Sequence, residues 1–113
     1  MPATVIVDVF SGIPNPQWTI AGDLLVQLKL MLAQLPHFHP GLVPEPPGLG
    51  YRGIILQFSP DEGVAGSLRV FGGYVAGPQE IRVDAGRALE RWLLETGIRS
   101  TNNDILKEIL NEL

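Results

Sequence analysis

The chain has 113 residues, 45% of them apolar and 18% charged, with a formal net charge of −4 and no cysteine. That is enough apolar material for the core of one small domain and too little charge for a disordered chain. The lack of cysteine excludes a disulfide scaffold, a thiol nucleophile, an iron–sulfur cluster and a cysteine zinc site.

Several partner classes are disfavoured as well. The eight basic residues are scattered and form no stripe for a phosphate backbone or an anionic membrane surface. No run approaches the roughly 18 apolar residues of a membrane span, and the start, Met1-Pro2-Ala3-Thr4, carries no basic leader. The expectation is one acidic, soluble, cytoplasmic domain over residues 1–113.

Residues 4–10 are β-branched and alternate, which predicts a strand with Val5, Val7 and Val9 on one face and Ile6, Asp8 and Phe10 on the other. The run 11–16, with Pro14 and Pro16, stops it. Residues 21–35 follow a helical period, with Leu24, Leu28, Met31, Leu32 and Leu35 as the buried stripe and Pro36 as the stop. Leu25, Val26 and Leu30 add further apolar surface, more than one packing partner covers. Residues 36–50 form a Pro/Gly-rich loop whose Phe38, Leu42, Val43 and Leu49 are expected to pack on the body.

Residues 51–59 read as a strand with Ile54, Leu56 and Phe58 inward. The turn signals at 59–63 and a strand at 67–71 then complete a hairpin. Gly72-Gly73 fits either a two-residue turn into a strand at 74–76 or a bulge. A short edge strand fits 80–83. Asp84 is placed as N-cap of a helix over 85–96, with Ala85, Ala88, Leu89, Trp92 and Leu93 inward and Gly97 just past its end. Thr101 to Asp104 resembles a capping box for a last helix at about 102–113, with Ile105, Leu106, Ile109, Leu110 and Leu113 as its apolar stripe. The fold class is therefore α+β. A mainly antiparallel sheet of three or four strands packs against two or three helices, in the order β-α-β-β-(β)-α-α.

Candidate chemistry is sparse. Asp8 lies inside a strong strand, where a carboxylate must be solvated or bonded. Ser11, Asn15 and Trp18 follow it, so a ligand pocket at the mouth of the sheet competes with simple bonding of Asp8 to turn amides and Trp18 plugging the core. Tyr51 and Arg52 sit among Gly48, Gly50 and Gly53, and Arg52 can clamp a carboxylate or phosphate or else pair with a surface acid. His37 and His39 are spaced to share a metal on an extended segment, but nothing in the spacing selects a third ligand. Arg82, Arg87 and Arg91 read as a solvated face paired with Asp84, Glu90 and Glu95. No nucleophile elbow or catalytic pair is present, and no cofactor is implied.

The favoured function is a non-enzymatic binding or accessory protein acting on a protein partner or on itself as a homo-oligomer. Its interface would be built from the helix at 21–35, the C-terminal helix and the Pro/Gly loop. The rival is a small-molecule or metal pocket, with or without enzymatic activity, formed by Asp8, Ser11, Asn15, Trp18, Tyr51, Arg52 and the histidine loop. A third reading, suggested by the acidic charge alone, is a partner for a basic protein.

Overall fold

A computed structural model describes residues 3–9, 14–37, 50–58, 67–77 and 80–113. Ser11, His39, most of the Pro/Gly loop and the turn at 59–63 lie outside the described residues. Among the described residues six strands occur in chain order: β1 (Ala3–Val7), β2 (Gln17–Ile20), then, after helix α1 (Gly22–Gln34), β3 (Ile54–Gln57), β4 (Ser67–Phe71), β5 (Tyr74–Ala76) and β6 (Ile81–Val83). A 3-10 turn at Ala85–Arg87 leads into α2 (Ala88–Thr101), and α3 (Asp104–Glu112) ends the chain. All pairings are antiparallel, in the order β2-β1-β3-β4-β5-β6.

The α+β class holds, but the sheet has six strands where three or four were expected. β6 was expected only as a short edge strand, and β2 was not expected at all. Pro14 and Pro16 read as the end of strand structure, yet both precede β2, and Pro16 contributes only its carbonyl, which accepts from Val7 N at 2.9 Å. Within β2 the alternation is complete, with Trp18 and Ile20 buried and Gln17 and Thr19 exposed. Gly72 and Gly73 make the two-residue turn rather than a bulge, both with positive φ (63° and 91°), as tight hairpins require.

The three helices share one side of the sheet. Ala3, Val5, Val7, Trp18, Ile20, Ile54, Leu56, Val70 and Val75 form one cluster with Leu25, Leu28 and Leu32 of α1, Leu89, Leu93 and Leu94 of α2, and Leu106 and Ile109 of α3. Cross-strand register puts Ile6, Ile55, Arg69, Ala76 and Ile81 on the opposite side, where no described helix packs.

Helix details depart from expectation. In α1 the buried stripe is Leu25, Leu28 and Leu32, whereas Leu24 is exposed. The start of α2 is delayed because Gly86 (φ 66°) and Arg87 (φ 58°) are left-handed, so Ala85 and Ala88 stay exposed. Asp84 still caps the helix across this kink, its carboxylate accepting from Leu89 N (2.8 Å) and Glu90 N (3.1 Å). Gly97 lies inside α2, which runs on to Thr101. The left-handed residue past the end is Asn102, and Asn103 caps α3 by accepting from Ile105 N. At the far edge, Arg82 caps α1 by donating to Leu32 O at 2.8 Å, and the chain leaving α1 covers β6 through Val83 N to Pro36 O.

Candidate functional site

Asp8 follows the last residue of β1, and the backbone locks it to the entry of β3 through Asp8 N to Gly53 O and Arg52 N to Asp8 O. Its side chain is 13% exposed and takes two arginines: Arg52 Nη2 to Oδ1 at 2.6 Å and Arg69 Nη1 to Oδ2 at 3.0 Å. Arg69 Nη1 also donates to Arg52 O at 2.8 Å. Among the described residues the carboxylate is thus held by side chains from two other strand segments, and the turn at 10–13 lies outside the described residues. Asn15 serves the turn instead, its Oδ1 accepting from Val9 N at 3.1 Å.

Tyr51 and Arg52 are successive residues of an extended segment, so they diverge. Arg52 goes to Asp8, whereas Tyr51 goes to Glu90 on α2, to which its hydroxyl donates. Glu90 is fully buried. It accepts from Arg87 Nε (2.8 Å) and Nη2 (2.7 Å) and from Gly72 N (3.1 Å), which saturates the carboxylate with a bidentate guanidinium, a phenol and a turn amide. The Arg87 guanidinium also lies over the Phe71 ring, 5.4 Å from its centroid, and Phe71 meets the Tyr51 ring at 5.8 Å. Burial, reinforced by the hydrogen bond to Glu90 and its charge, pushes the Tyr51 hydroxyl far above the ordinary tyrosine range. The bond to Glu90 likewise raises the Arg87 guanidinium. A neutral, half-buried phenol that holds its proton this tightly is a poor general base.

The sequence-predicted residues therefore separate. Asp8 and Arg52 meet. Tyr51 joins the Glu90 cluster. Trp18 is a core residue, 6% exposed, whose indole N–H donates to Thr96 Oγ1 at 3.1 Å. Ser11 and His39 lie outside the described residues, and His37 Nδ1 stands 3.2 Å from Glu80 Oε2. Among the described residues no three His, Asp or Glu side chains gather to hold a metal ion. The arginine face also divides. Arg82 pairs with Glu80, Arg87 with a buried Glu90, and Arg91 donates to Gly86 O and Leu113 O.

The part played by Arg69 and the burial of Glu90 were not expected. Glu90 shares a helical stripe with Leu93, Leu94 and Gly97, and that spacing was the available signal. Arg69 alternates with buried Val70, and nothing local marks its reach to Asp8.

The outer face of α1 is the other candidate. Val26 and Leu30 are 57% and 56% exposed and Leu24 is 39% exposed, the only large hydrophobic side chains so exposed among the described residues. Val26 and Leu30 are one helical turn apart and form a ridge. The C-terminal helix does not contribute, because Leu106 and Ile109 are buried against the rest of the same chain. Comparisons with protein-family models, curated proteins and solved structures give no match.

Proposed function

We propose that the chain is a small non-enzymatic binding or accessory protein that associates with a second copy of itself through the outer face of α1. The observation that carries this is the exposed Val26–Leu30 ridge on a helix whose other side is already buried in the core. A ridge at four-residue spacing is self-complementary when two such helices cross around a two-fold axis. Charge does not oppose self-pairing at this element. α1 holds one acid, Asp23, and one base, Lys29, so it is neutral within a chain of net charge −4.

The pocket reading has less support. Asp8 is spent on two arginines, Trp18 on the core, and Tyr51 on a saturated buried carboxylate. No helix among the described residues is long and apolar enough to cross a membrane.

The test uses mass action, since association stabilises a protein by an amount that grows with the logarithm of its own concentration. The melting temperature of the wild type is expected to rise with protein concentration, and that of the double variant Val26→Lys, Leu30→Glu to stay flat. A wild-type melting temperature independent of concentration contradicts the proposal.

A further inference from the structure

We propose that the helix-free side of the sheet carries an oxyanion site built by Arg52 and Arg69, which takes the carboxylate or phosphate group of a small molecule. The two guanidiniums converge on a single carboxylate, Asp8, and leave a local surplus of one positive charge on a chain of net charge −4. Their donors are not used up. Each guanidinium has five N–H bonds. Among the described residues the Arg52 side chain bonds through Nη2 alone, to Asp8, while its Nε is buried without a partner and out of a dissolved ligand's reach. Among the described residues Arg69 uses only Nη1, on Asp8 Oδ2 and Arg52 O. The side chains remain 32% and 36% exposed, so water-borne ligands reach their outer ends.

The two arginines are also held in place. Arg69 sits within β4, opposite Ile55 of β3, and its Nη1 is fixed between Asp8 and the Arg52 carbonyl. Arg52 is tied by its backbone to Asp8. A fork fixed in this way loses little freedom when it meets a planar or tetrahedral oxyanion. On the same side lie Ile6 and Ile55, an apolar floor that lowers the local dielectric and strengthens the contact. Asp8 has a defined part as the resident counter-charge, orienting both guanidiniums and weakening every visiting anion.

That part gives the test an unusual sign. Inorganic phosphate and acetate are each titrated into the full-length protein at constant ionic strength against chloride, and binding is followed by amide chemical shifts. Saturable shifts are expected near Arg52 and Arg69. Arg69→Gln should weaken the apparent affinity about tenfold, the loss of one charge-assisted hydrogen bond. Asp8→Asn should strengthen it, because the competing charge is gone while the side chain can still accept from the arginines. If Asp8→Asn does not fold, wild type against Arg69→Gln decides. A response to phosphate alone or to acetate alone assigns the ligand class and supports the site. No saturation by either anion, or equal affinity in Arg69→Gln, overturns it.

Discussion

Glu90 is a carboxylate with no solvent exposure in a helix that its neighbours Arg87 and Arg91 make look wet. It survives there because four donors from three segments reach it. Removing the acceptor alone, as in Glu90→Ala, strands those donors and should cost about 3–5 kcal/mol, the range for breaking a buried ion pair. Chemical denaturation measures it.

The pH dependence has a definite sign. The Tyr51 proton is held more tightly in the folded than in the unfolded chain. The stabilisation is therefore complete below the ordinary tyrosine value of about 10 and is lost as pH rises through it and toward the folded value. Denaturation midpoints should fall above about pH 10 in the wild type, with a shallower fall in Tyr51→Phe. Equal slopes would argue against the assignment.

Gly97 makes the complementary case. Glycine inside a helix costs about 1 kcal/mol relative to alanine. A Cβ there, however, would stand 2.5 Å from Trp18 Cη2 and Cζ2 and 2.8 Å from Leu106 Cδ1. Gly97→Ala should therefore destabilise, by about 1–3 kcal/mol, despite the gain in helix propensity. The sequence shows a glycine near a plausible helix end. Only the approach of Trp18, 79 positions earlier, tells an interior contact from a cap.

At the level of elements, the two leucine-rich helices have different fates. α3 folds back on α2 and inserts Leu106 and Ile109 into the chain's own core. Leu106→Ala should cost about 2–5 kcal/mol, seen as a lower denaturation midpoint, without altering the concentration dependence of melting. α1 buries one side and presents Val26 and Leu30 on the other. Periodicity located both helices to within a few residues because apolar spacing is a local property. It put Leu24 in the buried stripe because Leu24 and Leu25 are adjacent on the helix surface, and the choice between them depends on how the sheet meets α1. β2 was hidden by the two prolines that precede it, although its four residues alternate cleanly. In the same way, Asp8 and Arg52 were legible as charged residues in strong strands, whereas their pairing required the antiparallel register of β1 and β3.

At the scale of the whole molecule, the chain buries Leu106 and Ile109 of its C-terminal helix internally, and in the proposal made above the ridge on α1 is left for another copy. Sedimentation equilibrium tests it directly. At raised concentration the wild type is expected to approach twice the 12.3 kDa chain mass. Val26→Lys with Leu30→Glu should remain at the chain mass with an unchanged circular dichroism spectrum. A wild type at the single-chain mass throughout, or a charged variant that still doubles, would contradict it.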